Sequence, residues 1–598
     1  MKHRFMKAAP VVIVLLALAF VCLMSFKFKG DTPEEEMETL QLQILATSDL
    51  HGKFLAYDYA LNEESTSGSC AQIASSVNEL RTENTIVVDG GDIIQDNSAV
   101  LFLDDDMHPM MLAMNEIGYD VWITGNHEYN FGMDVLQRVI QQNNAPLLCG
   151  NVYNQDMNPL ADAYVIIERG GVKVGIIGMV TPNIKRWDEQ NLKDWIVTDP
   201  VEETRKIIDE IGDSVDVLIA VEHMHVDNEC DVSDSGVEDL ANACPELDLI
   251  VAAHGHQMID DLTINGVPII ENKNMGATLG QILFDIEKTD EGWQVVNTST
   301  KLIMMSDYES DEELTEKLQP YHERAVDNAN TVIGSLENEY LAAPNEIAEI
   351  PTAQIEDTAL MDLINEVQLY YTGADVSGAA LSTTNANMFA GDIKRCDVSL
   401  IYKFSNTLYK AEFTGRQLKR WMEWSACYYN TYAEGDLTVS FNEDVNIYNY
   451  DMFSGVDYTV DISKEPGSRI EDLTFTDGTP VDDDDVIIVA LNNYRWSSQL
   501  STYGEVFTEE DGLPKLLEMD VRGDIGGIRE LIADYIINVK DGTLRVECDN
   551  NWMLVGNDWD EELHAMAVEQ LAEGKLAIPV SEDGKTSNVK SITADDLK

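Results

Sequence analysis

The sequence predicts an α/β fold built on parallel strands, and three observations carry that prediction. The first is a set of five apolar runs, each stopping abruptly at polar residues. Residues 42–45 run into Asp49-Leu50-His51-Gly52, and residues 85–88 into Gly90-Gly91-Asp92. A short run ending at Ile123 leads to Gly125-Asn126-His127-Glu128, residues 216–219 to Glu222-His223-Met224-His225, and residues 249–252 to His254-Gly255-His256. The second is helical periodicity between these runs, with apolar residues three and four apart over 71–80, 110–117, 135–140 and 201–211. The third is a pair of hairpin signals: 164–167 and 172–177 flank Gly170-Gly171, and 262–264 and 267–270 flank Asn265-Gly266. Strands alternating with helices form layered α/β structures, in which ligands bind beyond the carboxyl ends of the strands.

Length and composition set the frame for these elements. At 598 residues the chain exceeds what one core supports, so at least two domains are expected. With 44% hydrophobic and 25% charged residues, it has the composition of a folded globular protein. A formal charge of −69 argues against polymeric nucleic acid as a partner, because phosphates require basic neutralisation. A small anionic substrate must therefore be drawn in by bound cations against the global field.

Lys2, Arg4 and Lys7 precede an uncharged, mostly apolar stretch over 8–26, and Lys27 and Lys29 follow at once. Residues 1–30 thus read as a signal sequence or membrane anchor. The stretch is near bilayer-spanning length and no small-x-small cleavage site follows, which favours an uncleaved anchor over a cleaved peptide. The expectation is an exported chain, anchored at the cell surface or else secreted or periplasmic, touching the membrane only through that segment. Cys22 follows bulky Phe20 and Val21 and reads as apolar filler rather than a lipoprotein site. Residues 31–40 form an acidic spacer. Seven further cysteines remain, of which Cys230 and Cys244 flank an acidic loop and either close it as a disulfide or stay free. No Cys-x-x-Cys pair indicates a structural zinc site.

The strand-end residues are carboxylates, an amide and imidazoles, a donor set that suits Zn, Mn, Fe or similar divalent ions. Any one Asp-x-His or His-x-His is far more often a surface or core pair than a ligand pair. Five such fragments at five strand ends are not explained by core packing. The set resembles the calcineurin-like metallophosphoesterases. Thr47-Ser48-Asp49-Leu50-His51-Gly52, residues 125–132 and residues 181–188 resemble the secreted 5'-nucleotidase family, and within it the 2',3'-cyclic-nucleotide 2'-phosphodiesterase/3'-nucleotidases. Asn130 supports that branch, since the 5'-nucleotidase branch usually carries Asp there. The resemblance covers residues 40–598. It implies a four-layer α/β/β/α sandwich followed by a second, α+β substrate-binding domain.

It also implies two divalent metal ions, with Asp49, His51 and His256 on one, Asn126, His223 and His254 on the other, and Asp92 bridging. A hydroxide between the metals would attack phosphorus in line. Asp92, Asn126 and His127 form the implied catalytic set, with His127 beside a ligand and placed to stabilise charge or protonate the leaving oxygen. Glu128 is expected to orient an imidazole. His225 is the alternative to His223, which the family pattern favours; His108, His322 and His564 read as surface or core residues.

The first domain is expected over 41–305, a polar, acidic helical connector over 306–345, and the second domain over 346–598. In the latter, Thr414 reads as the N-cap of a helix over 417–422. Residues 403–408, 448–451, 454–458, 467–470 and 492–495 resemble the family's substrate-binding domain, and Tyr448 and Tyr494 stand where the cyclic phosphodiesterase branch sandwiches the base. Without that resemblance, both would read as half-buried strand aromatics. The sequence departs from the family at Trp496-Ser497-Ser498-Gln499-Leu500, where a glycine run is usual, at Thr384–Met388, which lacks the usual arginine, and at Ala253. The implied substrate is a small nucleotide, 2',3'-cyclic or 3'-phosphorylated. A 5'-nucleotidase, a non-nucleotide phosphoesterase and a non-catalytic surface binding protein on the same fold are the alternatives.

Overall fold

The structure is a computed structural model that describes residues 38–598 apart from 230, 231, 291, 405, 524 and 582–585. The amino-terminal signal or anchor segment and Cys230 lie outside the described residues, and Cys244 is a buried free thiol. Among the described residues, no helix is long and apolar enough to cross a membrane.

The amino-terminal half is a four-layer α/β/β/α sandwich, as the resemblance implies. One six-stranded sheet runs in the order Gly292–Met304, Thr278–Thr289, Thr39–Thr47, Thr85–Asp89, Val121–Ile123, Leu147–Leu148. The second runs Ile259–Ile264, Val267–Glu271, Leu249–Ala252, Val217–His223, Val172–Val180, Tyr164–Arg169. The continuous apolar runs are explained by burial on both strand faces. Ile44, Ala46, Ile86, Val88, Ile219 and Val251 pack between the sheets. Leu45 and Val87 turn to the helices on one side, and Leu218 and Ala220 to those on the other. The expected helices form as Cys70–Leu80, Pro109–Ile117, Met133–Ile140 and Pro200–Ile211, and both expected hairpins pair antiparallel.

The acidic connector differs from expectation in its second half. The helix Glu312–Ala329 ends at Asn330, and Val332–Tyr340 is a strand. It pairs with Phe389–Lys394 and Thr543–Leu544, so it belongs to the second unit's structure and not to a helical connector. Its buried residues, Ile333 and Leu336, are three apart because the register shifts along the strand. That spacing imitates a helix, while β-branched Thr331-Val332-Ile333 favours the extended chain.

The second unit holds a five-stranded sheet, Asp451–Ser454, Val376–Ala380, Val486–Asn492, Leu408–Thr414, Lys515–Glu518. Thr414 caps the helix Gly415–Ser425, its hydroxyl accepting from the Gln417 N–H. Inside the unit, Arg495 donates to Asp451 at 2.6 Å and to the Tyr448 carbonyl at 2.6 Å. The buried ion pair thereby ties the segments carrying Tyr448 and Tyr494 together.

Candidate active site

The five strand ends converge on one place. The Cα traces of Thr39–Thr47, Thr85–Asp89 and Val121–Ile123 run parallel in one sheet, and those of Val217–His223 and Leu249–Ala252 run parallel in the other. Their carboxyl ends therefore open on the same edge of the sandwich. The loops that follow are forced into tight conformations. Asp49, His51, Asp92, His254 and His256 all have positive φ, between 44° and 73°. Non-glycine residues occupy that region at a cost of about 1–3 kcal/mol each and cluster at functional sites. Gly125 is required for a different reason, since a Cβ there would lie 2.1 Å from Asp92 Oδ1.

Two clusters of donor atoms result, sharing Asp92: Asp49, His51, Asp92 and His256 form one, and Asp92, His223 and His254 the other. Asn126 joins the second, its Oδ1 3.0 Å from His223 Nε2. His223, not His225, is the clustered imidazole; His225 turns to Gln257 at 2.8 Å. Between the clusters, Asp92 Oδ2 lies 3.9 Å from His51 Nε2 and 3.3 Å from His223 Nε2. His256 Nε2 is 3.3 Å from Asp49 Oδ1.

The chemistry of these atoms fits cations. His51 Nδ1 donates to Gln95 Oε1 at 3.0 Å, which leaves the Nε2 lone pair pointing at His256 Nε2, 3.1 Å away. His223 Nδ1 donates to the Gly90 carbonyl at 2.6 Å, leaving Nε2 facing Asp92 and Asn126 oxygens. Acceptors facing acceptors in a buried site call for a positive charge between them. The titration behaviour agrees. Burial lowers His51 to about 4, so it is a neutral donor. At His223 burial also opposes the charge, yet Asp92 overrides it and holds the ring up to about 10, as a proton takes up the cation's role. Asp49 is drawn down to about 2, burial being outweighed by His256.

Surrounding groups hold the loops that carry these donors. Glu128 touches no imidazole, contrary to expectation. Its Oε2 accepts from the Asp92 and Gly125 N–H groups at 2.8 and 2.7 Å, and its Oε1 from Ile93 and Ile94 at 2.7 and 3.3 Å. Burial, with Asp92 adding to it, pushes the Glu128 carboxyl up against these four donors. Asp89, raised to about 8 by burial, accepts from Thr47 Oγ1 at 2.6 Å and from the Gly91 N–H. His127 donates its backbone N–H to Asp92 Oδ1 at 2.8 Å, and its ring stands 5.5 Å from that of His51.

Glu229 and Asp188 were not singled out from sequence. Glu229 Oε2 is 3.0 Å from His254 Nε2, and an acidic loop gave no signal to separate it from its neighbours. Trp187 stacks on His254 with ring centroids 5.2 Å apart, and Arg186 donates across the domain boundary to the Ser497 carbonyl and to Ser501 Oγ. A cavity of about 290 Å³ between the domains is lined by Arg186, Trp187, Tyr409, Asn493 and Trp496. Tyr448 and Tyr494 come together in the second unit, but edge to face, with centroids 6.3 Å apart and planes at 79°. Burial, then Tyr448, push the Tyr494 phenol up, with Arg495 opposing them. The remaining histidines among the described residues are structural: His108 caps Pro109–Ile117, His322 packs on Tyr57 and Tyr59, and His564 stacks on Trp559.

Comparison with known proteins accords with this geometry. The calcineurin-like phosphoesterase profile matches residues 42–258, and the 5'-nucleotidase C-terminal domain profile matches residues 332–504. The trifunctional nucleotide phosphoesterase protein YfkN of Bacillus subtilis is 29% identical over 87% of this chain, which spans about two-fifths (39%) of that longer protein. The 2',3'-cyclic-nucleotide 2'-phosphodiesterase/3'-nucleotidase of Haemophilus influenzae is 26% identical over 87% of this chain and 88% of its own. A crystal structure of a Staphylococcus aureus protein described as a 5'-nucleotidase superposes with a TM-score of 0.71, at 20% identity, over 86% of this chain and 100% of that one. The chain is a metal-dependent phosphoesterase of the 5'-nucleotidase family, a calcineurin-like phosphoesterase domain joined to a 5'-nucleotidase-type carboxy-terminal domain.

Proposed function

We propose that the chain is an exported nucleotide phosphoesterase acting on 2',3'-cyclic nucleotides and 3'-nucleotides. Asp49, His51, Asp92 and His256 would hold one divalent cation, and Asp92, Asn126, His223 and His254 the other. The observation that carries this reading is the pair of donor clusters sharing Asp92, in a chain whose Haemophilus influenzae relative is named for that activity. When bound, two such cations supply Lewis acidity toward phosphoryl oxygens and a water acidic enough to attack near neutral pH. The chain's own groups do the rest. Asp92 faces both clusters with Oδ2, while its Oδ1 is fixed by the His127 N–H. His127 Nδ1 is engaged by Asn130, so Nε2 is the atom that faces the leaving oxygen and gives it a proton when the ring is protonated on both nitrogens.

In the second domain, Tyr448 and Tyr494 would take the base. Stacking on both faces needs near-parallel rings about 7 Å apart, two aromatic contact distances. From 6.3 Å and 79° one ring must turn, and Tyr494, at 42% exposure, is the one with room to do so. Hydrolysis of a non-nucleotide ester is the second reading, favoured by that edge-to-face arrangement. One panel separates them: 2',3'-cAMP, 3'-AMP, 5'-AMP, sugar phosphates and bis-p-nitrophenyl phosphate. Base stacking is worth about 1–3 kcal/mol, so Tyr494→Ala should raise KM for 2',3'-cAMP by about 5- to 150-fold and leave the nitrophenyl ester unchanged. Chelator should abolish turnover of both, with close to two metal ions per chain in the active protein. If no nucleotide outperforms the small ester, the nucleotide reading is wrong. Export has its own test, as a start near residue 30 in amino-terminal sequencing of the exported protein would refute an uncleaved anchor.

A further inference from the structure

His127 is held by a chain of side chains that ends outside the donor clusters. Its Nδ1 lies 2.7 Å from Asn130 Oδ1, and Asn130 Nδ2 donates to Asp188 Oδ2 at 2.9 Å. Asp188 Oδ1 in turn accepts from Asn191 Nδ2 at 3.3 Å. The same Asn191 amide donates to the Tyr129 and Asn130 carbonyls at 3.0 and 3.1 Å, so the loop carrying His127 and the segment carrying Asp188 are braced together. None of this is needed to fold the turn at 188. The turn is closed by backbone, with the Asp188 N–H on the Ile184 carbonyl and the Leu192 N–H on the Asp188 carbonyl, and the carboxylate is left to Asn130 and Asn191.

An asparagine amide has one accepting and one donating end, and by itself it can present either to an imidazole. A carboxylate only accepts. With Asp188 beside it, Asn130 must point Nδ2 at the carboxylate and Oδ1 at His127, and an oxygen there requires the proton on Nδ1. Partial burial pushes the Asp188 carboxyl up to about 6, with His127 pulling it back, so it is ionised and purely accepting at pH 7.5.

We propose that Asp188 is a positioning residue for the phosphoester hydrolysis, acting through Asn130 to fix the ring orientation and tautomer of His127. The proposal rests on the reading of His127 as the group that serves the leaving oxygen. A carboxylate one residue removed does here what a carboxylate in direct contact would do, and the negative charge sits at the far end of a neutral amide.

The test uses the metal-loaded full chain and 3'-AMP, whose leaving ribose oxygen would depart as an alkoxide and so needs the proton that a nitrophenolate does not. An outer hydrogen-bond partner of this kind is worth about 10- to 100-fold. Asp188→Ala should lower kcat by that factor with KM within twofold, unchanged metal content and unchanged Tm. Asn130→Asp should also be poor, since it places two carboxylates 2.9 Å apart. The transposed double variant Asn130→Asp/Asp188→Asn should recover to within a few-fold of the parent, because the carboxylate introduced at position 130 accepts from His127 directly and the amide at 188 donates to it. A kcat within twofold of the parent in Asp188→Ala, or a double variant no better than Asn130→Asp alone, overturns the proposal. A parent chain inert toward every ester would instead defeat the phosphoesterase reading itself, so the two failures are distinguishable.

Discussion

Glu128 satisfies four backbone N–H groups from two loops with one carboxylate, and each oxygen takes two of them. Those loops carry Asp92, Asn126 and His127, so the Glu128 carboxylate sets the distance between the aspartate shared by the two donor clusters and the groups beside it. Glu128→Gln is nearly isosteric, but whichever oxygen becomes an amide nitrogen then faces two donors. A buried unsatisfied N–H costs about 1–3 kcal/mol, so the variant should lose about 2–5 kcal/mol of unfolding free energy and bind fewer than two metal ions. Urea unfolding and metal analysis read both, and a variant as stable as the parent with full metal content would rule the role out. The same residue marks how far sequence reasoning reaches. Asp49, His51, Asp92, Asn126, His223, His254 and His256 were legible because each follows an apolar strand within a few residues. What they touch was not. Glu229 meets His254 from another loop, Asp188 meets Asn130 across 58 residues, and Glu128 reaches back 34–36 residues to the loop at 92–94. None of these pairings leaves a local pattern.

At the level of elements, strands and helices with two buried faces or one clear stripe were readable, and those with irregular pairing were not. Val332–Tyr340 falls in the stretch expected as a polar, acidic helical connector, and its register shifts give its buried Ile333 and Leu336 a helix-like spacing of three. The angle between Tyr448 and Tyr494 was equally hidden, since the buried Asp451–Arg495 pair sets where those segments meet. A third feature, at the start of the helix Ala359–Thr372, also escaped notice. Asp357, Asp362 and Cys548 converge there, and Asp549 adds a further carboxylate. Burial first, and then the neighbouring carboxylates, push Asp362 up to about 8 and Asp357 up to about 6. An unfolded aspartate ionises near 4. Between about pH 4 and pH 8 the folded chain therefore holds more protons here than the unfolded chain, and this cluster's contribution to stability falls as pH rises through that window. Asp362→Asn keeps an oxygen for the Asp549 N–H, which now donates to Asp362 Oδ2 at 3.2 Å, and removes the charge. In chelator, the variant should match the parent Tm at pH 4 and exceed it at pH 8. Parallel Tm-against-pH curves would show that these carboxyls do not titrate in that range.

Across the whole molecule, the two domains meet beside the donor clusters at Arg186, the first of three consecutive residues that link parts of the proposed site. Arg186 donates to the Ser497 carbonyl and Ser501 Oγ in the second domain, Trp187 stacks on His254, and Asp188 anchors Asn130. Ser497 lies in the turn Trp496–Leu500, where the sequence departs from the family's glycine run, and Tyr494 stands two residues before that turn. The Arg186 contact therefore fixes the distance between the donor clusters and the tyrosine pair. Interfaces between domains of one chain are commonly small and polar, and a single guanidinium is a large share of the polar contact seen here. Arg186→Met keeps much of the side-chain length and removes the donors. A nucleotide must reach both domains at once, whereas a small ester needs the donor clusters alone. The variant should accordingly raise KM for 2',3'-cAMP by about 10-fold, the equivalent of 1.4 kcal/mol of lost uniform binding, with kcat little changed. Its kinetics with bis-p-nitrophenyl phosphate should stay within twofold of the parent. Equal losses on both substrates would mean that Arg186 supports the donor clusters through Trp187 and Asp188 rather than the domain contact, and no loss on either would mean that the contact does not hold the domains in their working arrangement.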